Sequence, residues 1–233
     1  MDIQKYRTFA SCIDPAYAEL GSVMAKIADC LASAGVNVTA IKDVDGVLSR
    51  HIIDSLYAAR ELAALCPDGA KICDVGSGGG FPALPVAAAL PGARVTALDS
   101  TAKKCRYIEE TARAAGIANV DTVCARAEEA VGLFASFDAV CARAVAALPV
   151  LCELCAPLVR VGGHFVAMKG EKAGEEIAAA AHAAKVLGLE LVGTSDYTLP
   201  SGGDHRTLAV YRKIAPTPPA YPREYRKIVK NPL

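Results

Sequence analysis

Tryptophan is absent from the 233 residues, phenylalanine occurs only five times, and neither sign of charge prevails: Lys plus Arg number 25, as do Asp plus Glu. A net charge of zero gives no general pull toward a polyanion, so contact with nucleic acid would have to come from local clusters. No apolar run approaches the ~20 residues of a membrane span. The stretch MDIQKYRTFA lacks the apolar core of a secretory signal, and the cytoplasm is the expected compartment. A chain of this length buries roughly 70% of its unfolded surface, so it needs neither metal nor disulfide to hold together.

Cysteine is plentiful, at nine, but its placement suggests neither pairing nor metal. Cys73, Cys124 and Cys141 fall in the apolar, strand-like runs KICDV, VDTVCA and FDAVCA, where a thiol acts as a small hydrophobe. The lone C-x-x-C, Cys152 to Cys155, lies in the helix-like LPVLCELCAPL with no second pair, so core packing is expected and no metal site.

The chain to about Cys66 reads as helical, with a turn-like break at AGVNVTAIKDVDG, and forms an expected extension of residues 1–66. Pro67, Asp68 and Gly69 mark a boundary. Short apolar strands then alternate with Ala-rich helices through residues 67–213, the pattern of βαβ units and a mostly parallel sheet of about seven strands. The last two strands are joined through SGGDH without a helix, which predicts a terminal antiparallel hairpin. Residues 214–233 read as a basic tail: Arg223, Arg226, Lys227 and Lys230 stand against Glu224 alone, with Tyr221 and Tyr225 interleaved. Such a tail suits an RNA backbone; a solubilising tail, or a clasp packed on the sheet, is the alternative.

The sharpest local signal is Lys71–Pro85, KICDVGSGGGFPALP: a buried strand closing on Asp74, the loop Gly76, Ser77, Gly78 to Phe81, and a helix entered at Pro82. A Walker loop requires a Lys that is missing here. A dinucleotide fingerprint requires a third glycine where Phe81 stands. Asp99 ends the next strand, where a carboxylate accepts ribose hydroxyls, and Ser100 follows it. The combination favours S-adenosylmethionine over NAD. Ala127 and Glu128, in CARAEEA after the third strand, are candidates to frame an adenine; a helix start with favourable first-turn acids is the plainer reading.

Arg143 falls at the carboxyl end of the fourth strand, where open α/β sheets place ligands. A carboxylate, a phosphate or a guanine O6 edge would suit it, as would a structural ion pair with Asp74 or Glu128. Lys169 and Arg206 are candidates for the RNA side. His182 reads as a surface residue of an Ala-rich helix, whereas His51 lies in the more unusual SRHIIDSL.

NVTAIKD followed by SRHIIDSL, DVGSGGGFPALP, LDSTAKKCRYIEE, ARAEE, FDAVCARAVAAL, MKG and YPREYRKIVKNPL occur in this order from about Asn37 to the C-terminus. In that order and spacing the chain resembles the bacterial ribosomal RNA small subunit methyltransferase G family, also called glucose-inhibited division protein B. It departs from the family in LASAGVNVT, where members often carry Trp-Asn, and in Ala142, where Ser is common. The resemblance implies a Rossmann-like class I methyltransferase fold with S-adenosylmethionine as cofactor. It implies methylation at N7 of guanine 527 in the 530 loop of 16S rRNA, with that RNA or the small ribosomal subunit as partner and no obligate protein partner. Carried over, the family's cofactor contacts fall on Gly76, Phe81, Ala127, Glu128 and Arg143. The residues themselves leave three other readings open: a methyltransferase for a small molecule or protein, an NAD-dependent oxidoreductase, and a silent RNA-binding assembly factor.

Overall fold

The computed structural model describes residues 1–34, 41 and 43–233. Most of the NVTAIKD element therefore lies outside the described residues. The chain opens with helix α1 (Ile3–Ser11), a 3-10 turn at Pro15–Leu20 and α2 (Gly21–Ala32). After the undescribed stretch come α3 (Val44–Gly46), a π-helical segment Val47–Ile53 and α4 (Asp54–Leu65), which run on from one another. Segments of i→i+5 winding are rare and recur at functional sites; this one carries Arg50 and His51 and hands directly to Asp54.

The sheet follows as β1 (Lys71–Val75), α5 (Ala83–Ala89), β2 (Arg94–Asp99), α6 (Ala102–Ala115), β3 (Val120–Cys124), β4 (Phe137–Arg143), α7 (Leu148–Cys155) and β5 (Val159–Lys169). Helices α8 (Ala173–Ala179) and α9 (Ala181–Val186) lead to the hairpin β6 (Leu189–Thr198) and β7 (His205–Lys213). The order is β3-β2-β1-β4-β5-β7-β6, with β7 antiparallel to both neighbours and the other pairings parallel. The expected seven strands and closing hairpin are thus present. The order reverses between β1 and β4, and ligands in open α/β sheets sit outside the strand ends at such a point.

Apolar strands buried on both faces require cover on both. One core joins α1, α2 and α4 with α5 and α6: Tyr6, Met24, Ile27, Ile52, Leu56, Ile72, Leu84 and Ile108 belong to it. The N-terminal helices therefore share the sheet's own core. The opposite core packs α7 and α9 on the strands and includes Cys73, Phe165, Tyr211 and, from the last helix α10 (Tyr225–Lys230), the fully buried Ile228. Cys73, Cys141, Cys152 and Cys155 are buried as expected, but Cys124 is exposed at the end of β3.

Residues 214–233 pack against α7 at two points. Ile228 anchors α10 in the core, and Arg223 forms a paired bond with Glu153, which is fully buried on α7: Nε to Oε1 at 2.9 Å and Nη2 to Oε2 at 2.6 Å. A buried carboxylate is costly unless matched in this way. Arg223, expected on the RNA side, thus spends its Nε and Nη2 on Glu153. Arg226, Lys227 and Lys230 remain exposed.

Candidate active site

Two cavities open at the carboxyl ends of the strands and share one wall, Ala144 and Val145. That wall is the loop leaving β4. Ala144 holds a left-handed φ of 56°, a conformation uncommon for a residue with a Cβ. Val145 seats on the glycine loop: a Cβ at Gly76, whose φ is 72°, would lie 2.5 Å from Val145 Cγ2. Gly76 is thus required twice, by its backbone and by its neighbour.

The smaller cavity, about 270 Å³, lies over β1 and β2 and is lined by Gly76, Asp99, Ser100, Ala127, Glu128 and Lys104, among others. Asp99, nearly buried, accepts from the amides of Gly78 and Thr101, each at 2.9 Å, which fixes its carboxylate at the strand end. Below it Asp74 accepts from the Ala83 amide through Oδ2, while its buried Oδ1 has no hydrogen-bond partner among the described residues. Burial pushes the Asp74 carboxyl up to about 6, against the Ser77 and Ala83 hydrogen bonds and Arg143, which lower it.

Five of the six amides from Gly76 to Phe81 are turned inward. Gly76 and Ser77 donate to the Leu98 carbonyl, Gly80 and Phe81 to the Ser77 carbonyl, and Gly78 to Asp99. A pyrophosphate cradle works by presenting such amides to the ligand, so this loop is poorly suited to a dinucleotide. The donor set suits a nucleoside carrying a cation instead: carboxylates at Asp99 and Glu128, apolar Val75 and Leu98, and a glycine-backed floor. Those residues fit S-adenosylmethionine.

Of the other residues expected at the cofactor, Ser77 turns its buried hydroxyl to the Asp74 carbonyl, at 2.9 Å. Phe81 is buried beneath the loop, its ring stacked on His51 at 4.7 Å between centroids. Neither side chain lines the smaller cavity, so any contact they have with a ligand there runs through the fold of the loop.

Arg143 faces the larger cavity, about 710 Å³, together with Arg50, His51, Asp54, Lys169, Glu176 and Arg206. The ion pairs considered for it with Asp74 or Glu128 are not formed. Its Nη1 donates to Asp54 Oδ2 at 2.9 Å and to the Arg50 carbonyl at 2.7 Å, and its Nη2 lies 3.0 Å from His51 Nδ1. A guanidinium only donates, so Nδ1 accepts and the ring proton resides on Nε2. Burial, then the Arg143 charge, pushes His51 down to about 4, so the imidazole is neutral at physiological pH.

Asp54 is the hub that sequence reading missed. Only 2% exposed, it also accepts from the Tyr197 hydroxyl at 2.7 Å, with Arg206 Nε at 3.8 Å. Arg206 further holds Asp204, and Arg50 donates to the same carboxylate at 2.9 Å. Lys169 commits its ammonium to the Ala146 carbonyl at 2.8 Å and Glu176 Oε2 at 2.7 Å, and Glu176 also accepts from the Leu148 amide. The π-helical segment, the ends of β4 and β5 and the hairpin loop thus converge on one rim. The only sequence signal for Asp54 is its place in SRHIIDSL.

Comparison with known proteins agrees with this architecture. The family model described as rRNA small subunit methyltransferase G matches residues 24–199. A ribosomal RNA small subunit methyltransferase G from Deinococcus radiodurans is 44% identical over 202 residues, covering 85% of this chain and 79% of the relative. The protein of that name from Lactobacillus johnsonii is 41% identical over 201 residues, covering 85% and 84%. Among solved structures, TYW2 of M. jannaschii in complex with AdoMet superposes with a TM-score of 0.53 at 16% identity, covering 69% of this chain and 77% of that one, a likeness of fold. With the family model matching most of the chain and relatives above 40% identity covering 85% of it, the protein belongs to the ribosomal RNA small subunit methyltransferase G family.

Proposed function

We propose that this chain transfers a methyl group from S-adenosylmethionine to N7 of guanine 527 in the 530 loop of 16S rRNA. The observation that carries the reading is the pair of cavities meeting at the Ala144–Val145 wall. One has the donor set of a nucleoside site; the other is an arginine-rimmed space large enough for a flat base. In this reading Gly76, Asp99, Ser100, Ala127 and Glu128 hold the cofactor, with Ser77, Gly78 and Phe81 shaping the loop beneath it.

When bound, the cofactor supplies a methyl group on a cationic sulfur. Guanine N7 carries an in-plane lone pair and no proton, which is why it accepts hydrogen bonds in the major groove. It needs no general base, so the work left to the protein is orientation and exclusion of water. Orientation is worth ~7–11 kcal/mol when the geometry is held well. Arg143 is fixed on three sides by Asp54, Arg50 and His51, which leaves part of its donor fork for the guanine O6 edge. Lys169, Arg206, Arg226, Lys227 and Lys230 are assigned to the RNA side. Of these, Lys169 and Arg206 act from the cavity rim and the last three from the exposed face of α10.

The test is methylation by the purified full chain of both naked 16S rRNA and assembled small subunits, mapped by mass spectrometry. One methyl at the N7 of that guanine, lost in Arg143→Ala while the fold is kept, is the expected result. No methyl on either substrate, or tighter calorimetric binding of NAD than of S-adenosylmethionine, would overturn the reading. No helix among the described residues is long and apolar enough to cross a membrane.

A further inference from the structure

We infer that the C-terminal segment completes the cofactor site, with Tyr225 and Arg126 forming the side of the pocket against which the adenine rests. This rests on the proposed placement of S-adenosylmethionine in the smaller cavity. Along the sheet, that cavity runs from the glycine loop after β1, past Asp99 at the end of β2, to Ala125–Glu128 after β3. A carboxylate at the second strand is the ribose end of such a site, which places the base beyond it, over β3. Tyr225 lines the same cavity from α10, some hundred residues later in the chain. The Arg126 guanidinium lies 5.7 Å over its ring, tying it to the β3 end.

The rest of the segment reads as the fastening for that ring. Arg223 is locked to buried Glu153 two residues before it, and Ile228 is sunk in the core three residues after it. Both anchors rest on buried residues, Glu153 and Ile228, yet the ring between them on a helix of six residues is left 37% exposed on a cavity wall. Purines stack readily on aromatic rings and guanidinium planes, and a flat apolar wall with a polar edge suits adenine. The hydroxyl is not required for stacking, whereas the ring is.

The experiment uses the full chain. Calorimetric titration with S-adenosylmethionine is expected to weaken about tenfold in Tyr225→Ala, from the usual scale of base–aromatic stacking. Tyr225→Phe should bind as wild type, and both should keep the wild-type melting temperature. The absence of tryptophan provides an independent readout. Tyr225→Trp carries a single indole whose emission should change on titration with S-adenosylmethionine or adenosine, but not with methionine. An Asp99→Ala control separates two kinds of failure. Weak binding in Asp99→Ala, with unchanged binding in Tyr225→Ala and an unresponsive indole in Tyr225→Trp, overturns this inference and leaves the cofactor site standing. No binding by the wild-type chain overturns both.

Discussion

Replacing Asp54 by Ala removes the carboxylate that holds Arg143 at the rim of the larger cavity. Asp54 is 2% exposed and receives Arg143 at 2.9 Å and the Tyr197 hydroxyl at 2.7 Å, with Arg206 at 3.8 Å. Without it the Arg143 side chain, 14% exposed, keeps its charge and loses its counter-ion. Breaking a buried pair by deleting one partner costs ~3–5 kcal/mol, and an orphaned buried hydroxyl adds ~1–3 kcal/mol. Arg143 still donates to the Arg50 carbonyl and the cavity admits water, so the lower end of both ranges applies, about 4 kcal/mol in all. For a chain of this length that is a fall of about 8–16 °C in melting temperature. Urea unfolding of Asp54→Ala, Arg143→Ala and the double variant measures the coupling directly; the double variant should lose at least ~1 kcal/mol less than the sum of the singles. A loss under ~1 kcal/mol in Asp54→Ala, with additive singles, would mean that water replaces the carboxylate and that Arg143 is not held by it.

Gly76→Ala should weaken S-adenosylmethionine binding strongly while the fold survives at a cost of ~1–2 kcal/mol, because φ is 72° and the new methyl meets Val145; wild-type affinity by calorimetry would refute this. Stability against pH should reflect two opposed buried groups. His51, folded at about 4, binds a proton in the unfolded chain between about 4 and 6.5, so its contribution rises with pH through that window. Asp74, folded at about 6, does the reverse between about 4 and 6, so removing the imidazole in His51→Gln should leave a stability that declines with pH there. Denaturant curves at several pH values check the sign, and an unchanged pH profile would count against a buried neutral His51. Substituting Arg226, Lys227 and Lys230 by Ala together should lower the salt slope of rRNA binding by roughly 0.7–0.9 for each phosphate no longer neutralised, at an unchanged melting temperature. Arg223→Ala should do the opposite, lowering the melting temperature by stranding Glu153 and leaving the salt slope as it was; an unchanged slope in the triple variant would sink the assignment of these cations to RNA.

The sequence by itself determined the elements whose causes are local. Alternating apolar strands and Ala-rich helices specify a parallel sheet, because only strands buried on both faces read as continuous apolar runs. The glycine run after KICDV marks the strand-end loop, because positive φ is cheap only for glycine. Asp99, Ala127 and Glu128 could be placed near that loop because each ends or follows a strand of the same sheet at its carboxyl end. The tertiary structure alone decided what depends on contacts between distant segments. Asp54 and Arg143 lie 89 residues apart, Glu153 and Arg223 lie 70 apart, and nothing in their local patterns reports the pairing. The C-terminal cations read as one basic tail because composition counts charges and cannot see burial. Only the packing of α10 separates Arg223, held by a carboxylate with no access to water, from Arg226, Lys227 and Lys230, which face solvent.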